Sequence, residues 1–132
     1  PAKTGKITIA DETLRIADQA FAAAKVEEVA FGENSKLTEI GDQAFLACSN
    51  LTSVVLPNSV TTIGNDIFLR CNNLESVTLP ASLATFTASM LGCDSLQNIY
   101  IGDGSTTYKS VNGVLFSADL KTLCLLPAYP RR

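Results

Sequence analysis

Phe45 to Gly64 reads F-L-A-C-S-N-L-T-S-V-V-L-P-N-S-V-T-T-I-G, and Phe68 to Phe86 reads F-L-R-C-N-N-L-E-S-V-T-L-P-A-S-L-A-T-F, the same text displaced by twenty-three positions. Self-similarity at a period of about 20 to 50 residues marks a solenoid, in which each unit is one turn of a coil that buries its apolar edge only by stacking on its neighbours. The anchors run through three units: Cys48, Cys71 and Cys93; Leu51, Leu74 and Leu96; Val54, Val77 and Ile99; Leu56, Leu79 and Ile101. Alternating apolar residues that stop at Pro57 and Pro80 describe a short strand and its end, because proline cannot continue a ladder inside a sheet. Strands one coil apart must run parallel.

The second half of each unit supplies Val60 and Ile63, then Leu83 and Phe86, with Phe68 and Leu91 at matching offsets, and these are expected to fill the back of the coil. Earlier units repeat the logic in Leu37, Ile40 and Phe45, and in Leu14, Ile16 and Phe21 after the alternating Ile7-Thr8-Ile9. One unit is irregular: Val26, Val29 and Phe31 sit close to Phe21, and Gly32-Glu33-Asn34-Ser35-Lys36 separates them from Leu37, which places that insertion on the rim. From Tyr108 the period is lost. Asn112 to Phe116 and Leu123 to Pro127 read as two strands around Ser117 to Lys121, a hairpin suited to covering the exposed end of a coil. No comparable cap precedes Ile7, so the N-terminal coil is expected to be open and the chain to be an excerpt of a longer protein.

The expected architecture is an α/β repeat solenoid, mainly β, in a single domain over 1–132, with coils over about 5–107 and a capping hairpin over about 108–130. The run from Leu37 through Ile101, clearest in L-T-E-I-G-D-Q-A-F-L-A-C-S-N-L-T-S-V-V-L-P-N-S-V-T-T-I-G, resembles the BspA-like leucine-rich repeat family, as does the closing Val111-Asn112-Gly113-Val114-Leu115-Phe116. The resemblance implies a right-handed coil in a horseshoe or shallow arc, with its parallel sheet on the concave face, and a surface-exposed or secreted bacterial protein engaged in adhesion or host interaction. Against the family pattern, Ala10, Gly32 and Gly102 stand for the proline, Ile67 and Met90 for the alanine before the aromatic, and Ala24 for the first cysteine. The motif is structural and carries no catalytic residue.

Composition narrows the function classes. The formal net charge is −3, and the ten basic residues are scattered apart from Arg131-Arg132, unlike the clustered Lys and Arg of a nucleic-acid footprint. No apolar run approaches the roughly 18 residues of a spanning helix, and no signal peptide heads the chain. Histidine is absent, which removes the commonest general base and the usual partner of a nucleophilic serine or cysteine. Glu27-Glu28 read as a solvated rim pair whose members point to opposite faces of a strand. Gly102-Asp103-Gly104-Ser105 reads as a turn, with no helix pattern and no P-loop lysine behind it. Asp11, Glu12 and Asp18 lack the spacing of a calcium loop. No enzyme, cofactor or metal is expected. Three of the four cysteines recur at the repeat period and read as buried free thiols, with a disulfide as the alternative and zinc disfavoured by the lack of C-x-x-C pairs.

Binding is therefore expected on the outward-pointing alternate residues of the strands: Ser53 and Val55, Ser76 and Thr78, Asn98 and Tyr100, joined by Glu28 and Ala30. Tyr100 is the one residue of hot-spot type among them. Five strands at about 4.8 Å and three residues at about 3.3 Å give a face of roughly 24 by 10 Å, below the roughly 800 Å² per partner of a standard interface. The leading reading is a non-catalytic protein-binding or adhesion module, its partner a protein of the host extracellular matrix, with affinity raised by avidity. The alternatives are a structural spacer that self-associates through the open N-terminal coil, and carbohydrate binding through Tyr100.

Overall fold

The computed structural model of the protein describes residues 4–84 and 90–127. Phe86, the residues beyond 127 that close the expected cap, and the terminal arginines lie outside the described residues. The chain winds as a parallel β-solenoid of about four turns. Five strands line one face of the coils: β1 (Thr4–Ile9), β3 (Lys25–Phe31), β5 (Ser53–Val55), β7 (Ser76–Leu79) and β8 (Asn98–Ile101). A second, shorter ladder runs through β2 (Arg15–Ile16), β4 (Glu39–Ile40) and β6 (Thr62–Ile63). All pairings within these ladders are parallel, as stacked coils require. Val54, Val77 and Ile99 stand in one register row and Val55, Thr78 and Tyr100 in the next, so the first row is buried and the second faces outward.

No helix occurs among the described residues, so the α component of the expected α/β coil is missing from them. The reason is local. Behind β2, β4 and β6 the backbone alternates between turn bonds to i−3 and bonds to the neighbouring coil: Phe21 N donates to Ala44 O at 2.8 Å and Phe45 N to Ile67 O at 2.9 Å. Two positions per turn are left-handed, Gln19, Gln43 and Asp66 at φ 54 to 57° and Ala23, Ala47 and Arg70 at φ 56 to 62°, which a right-handed helix cannot absorb.

The core is one continuous column. Leu37, Leu51, Leu74 and Leu96 are fully buried, backed by Val60, Leu83, Phe45 and Phe68. Phe21, Phe45 and Phe68 stack with ring centroids 5.3 and 5.6 Å apart. Cys48, Cys71 and Cys93 are free, buried thiols, as read from the repeat. Each also donates to the backbone of the preceding coil: Cys48 Sγ to Phe21 O at 3.0 Å, Cys71 Sγ to Phe45 O at 3.1 Å, and Cys93 Sγ to Phe68 O at 3.0 Å.

Two expected core residues are on the outside. Leu14 is 61% exposed, because its carbonyl accepts Thr38 N and it therefore occupies the outward position of Thr38 and Thr61. Leu91 is 71% exposed for a similar reason: Arg70 N donates to Leu91 O as Ala47 N donates to Leu69 O, so Leu91 matches Leu69 and not Phe68. Met90 takes the buried aromatic position instead, three residues before its cysteine in a unit one residue shorter. Glu27 and Glu28 do not face opposite ways either. A bulge opposite Gly5/Lys6 leaves Glu27 unpaired, and both carboxylates reach solvent between the buried Val26 and Val29.

Beyond the coils lie three antiparallel strands where two were expected: β9 (Tyr108–Val111), β10 (Val114–Ser117) and β11 (Leu123–Leu125), ordered β11-β10-β9. Asn112 and Gly113 are not in a strand but form the two-residue turn between β9 and β10, at φ 53° and 81°, the left-handed pair of a type I′ hairpin. That turn sits on the outer edge of β8: Ile99 N donates to Gly113 O at 2.8 Å, and Ser110 Oγ donates to Ile99 O. Leu115 from β10 is fully buried with the coil core.

Candidate binding face

The outward residues of the strands form two rows across the coils. One runs through Lys6, Glu28, Ser53, Ser76 and Asn98, the other through Thr8, Ala30, Val55, Thr78 and Tyr100. Within each regular block the rows are fixed by strand pairing, since side chains alternate faces and each residue sits opposite its equivalent one coil away. Lys6 Nζ lies 4.0 Å from Glu28 Oε2, both more than half exposed, an ion pair worth little in water. Val55 at 65% and Tyr100 at 43% are the exposed apolar and aromatic members.

The ladder is not continuous. β1 and β3 form one sheet and β5, β7 and β8 another, with β3 and β5 neighbouring but unpaired. The irregular unit read from the sequence is the cause, since Gly32 to Lys36 turns away from the ladder through a Ser35 N to Gly32 O bond at 3.1 Å, and Lys36 N returns to Asp11 O at 2.9 Å. At the resulting step lies a groove of about 490 Å³ that brings together Glu28, Ala30, Ser53 and Val55 with Glu33 and Asn58. Ser76 and Thr78 lie on the paired strand between this groove and a second one.

The second groove, about 730 Å³, fills the corner between β8 and the antiparallel sheet. It brings Asn98 and Tyr100 together with Tyr108, Lys109, Asn112 and Asp103. Tyr108, Lys109 and Asn112 were not singled out from the sequence as binding residues; the loss of the repeat period at Tyr108 was the available signal. Gly102 to Ser105 is a turn, as read, and it forms one wall: Ser105 Oγ accepts Tyr108 N at 3.1 Å and Thr107 N at 3.3 Å. On the opposite side of the coil Asp18 Oδ1 accepts Asp42 N at 2.9 Å and Asp42 Oδ1 accepts Asn65 N at 2.8 Å. Those carboxylates join coils, and among the described residues no cluster of His, Cys, Asp or Glu is arranged to hold a metal. Among the same residues no helix is long and apolar enough to cross a membrane.

The model of the BspA type leucine rich repeat region matches residues 2–119 in six copies. The chain belongs to that family. Its coils are similar to those in the crystal structure of the pneumococcal vaccine antigen PcpA, at 27% identity and a TM-score of 0.63, over 86% of this chain and 34% of that one. They are also similar in fold to the T. pallidum leucine rich repeat protein TpLRR, at 21% identity and a TM-score of 0.55, over 71% of this chain and 57% of that one. The chain thus spans about a third of the antigen and little more than half of the T. pallidum protein. Comparison with curated proteins finds no match.

Proposed function

We propose that this leucine-rich repeat chain is a non-catalytic protein-binding module of a cell-surface or secreted protein, and that it engages its partner through the outward rows Glu28, Ser53, Ser76, Asn98 and Val55, Thr78, Tyr100. The observation that carries this reading is the break between β3 and β5, which turns a flat polar face into a groove holding the exposed Val55 beside Glu28. A contact surface needs such an apolar point framed by polar groups more than it needs area. Membership in the repeat family supports a protein partner, and the likeness to a vaccine antigen supports an extracellular setting; in this reading the partner is a protein of the host extracellular matrix. Residues 1–132 form one domain in this reading, with the antiparallel sheet as the cap of the last coil. The face remains small against the roughly 800 Å² of a standard interface, so binding by one copy is weak and rises with valency.

The test is surface binding of the chain, as monomer and as an artificial tetramer, to immobilised extracellular-matrix proteins, with Val55→Asp and Tyr100→Ala alongside. Binding that needs the tetramer and falls in Val55→Asp supports the module. Silence across the panel, or a nanomolar monomer unaffected by both variants, rejects this face. A second reading rests on β1, whose edge away from β3 has no paired strand among the described residues and could pair with another copy. A mass that grows with concentration in light scattering, and is held at the monomer by a proline in β1, would favour it.

A further inference from the structure

The corner groove has a chemistry different from that of the β3 and β5 step. Tyr100 stands on the outward face of β8 and Tyr108 opens β9, and both line the same cleft of about 730 Å³. That is within the roughly 300–1,000 Å³ of ligand clefts. The second aromatic comes from the antiparallel sheet, not from the next rung of the ladder, and it is partly buried against the coil core, whereas Tyr100 is exposed. A pyranose ring presents C–H groups on its faces and hydroxyls around its rim. Aromatic surfaces suit the first, and groups able both to give and to accept hydrogen bonds suit the second. Asn98 and Asn112 supply amides of that kind to the cleft, Asp103 an acceptor and Lys109 a donor. One acid and one base leave no excess formal charge, which favours an uncharged sugar over an anionic one.

The walls are fixed before any ligand arrives. Asn112 is held at φ 53° in the turn whose Gly113 carbonyl accepts Ile99 N at 2.8 Å, and Ser110 Oγ returns a bond to Ile99 O. Both sides of the cleft are therefore tied to the same strand, which lowers the ordering cost of binding. We infer that this groove binds a short neutral oligosaccharide, its rings against Tyr100 and Tyr108 and its hydroxyls bonded by Asn98, Asn112, Asp103 and Lys109. The groove shares Asn98 and Tyr100 with the proposed protein-binding face, yet the two readings fail separately, because the matrix-protein assay can be silent while the groove takes a free sugar.

Amide NMR titration of the intact chain with cellotriose, chitotriose, lactose and maltotriose tests it. At least one of these is expected to shift amides of Asn98 to Asn112 with an affinity of about millimolar or better. Tyr100→Ala, at an exposed position, should weaken that binding about tenfold or more, as for an aromatic anchor. Asn112→Gly keeps the turn conformation and should weaken it severalfold with the spectrum otherwise preserved. Val55→Ala, in the other groove, should leave it unchanged. The proposal is overturned if no sugar of the panel shifts the corner amides, if the shifts map to the β3 and β5 groove, or if binding survives Tyr100→Ala.

Discussion

The Cys71 thiol donates to the carbonyl of Phe45, 3.1 Å away in the preceding coil. The same bond recurs from Cys48 to Phe21 and from Cys93 to Phe68, so the repeated cysteine is a polar link between turns as well as a core residue. Cys71→Val, which keeps an apolar side chain but removes the donor, should cost about 1 kcal/mol in urea unfolding. A change below about 0.5 kcal/mol, the range of an inert substitution, would mean that the thiol acts only as filler.

The thiols should also separate by reactivity. Burial pushes the Cys93 thiol up to about 11, whereas Cys124 is exposed on β11. Reaction requires the thiolate, so at pH 8 Cys93 is ionised only about one part in a thousand and is sterically covered as well. Native protein should show one fast thiol toward a disulfide reagent and four after unfolding, read by absorbance and mass.

Left-handed positions give a third test. Gly92, at φ 82°, occupies the place of Ala47 at φ 56° and Arg70 at φ 62° in earlier turns. A Cβ at Gly92 would approach Arg70 Cα to 2.9 Å, so Gly92→Ala should destabilise by about 1–3 kcal/mol. Ala47→Gly relieves about 1 kcal/mol of left-handed strain and loosens the unfolded chain by about 0.4–1 kcal/mol, leaving it neutral to slightly stabilising. Thermal unfolding of the two variants should therefore move Tm in different degrees, strongly down and little changed.

The turn between β10 and β11 should weaken in acid. Asp119 Oδ1 accepts Ser117 Oγ at 2.7 Å and Lys121 N at 3.0 Å, and these bonds hold its carboxyl below the usual carboxylate range. A lowered folded-state value contributes stability above the unfolded value that is lost as pH falls through the folded one. Amide exchange at Lys121 and Thr122, corrected for its intrinsic pH dependence, should lose protection below about pH 4 in the native chain, and that loss should vanish in Asp119→Asn.

By itself the sequence determined the parallel stacking, the buried rows Leu51, Leu74, Leu96 and Val54, Val77, Ile99, and the repeating cysteine, because one coil translates onto the next by a nearly constant number of residues and any buried position must recur at that interval. It also marked the irregular unit at Gly32 to Lys36 and the end of the period at Tyr108. What only the tertiary structure decided lies where that translation slips. Leu14 and Leu91 face solvent, and Met90 takes the place of a phenylalanine, because inside and outside are assigned by which carbonyl of the adjacent coil an amide meets, and one residue more or fewer in a unit changes the partner. The step between β3 and β5 and the placing of Tyr100 and Tyr108 in one groove belong to the same class. Each depends on how a segment without the repeat packs against one that has it, and no local spacing encodes that contact.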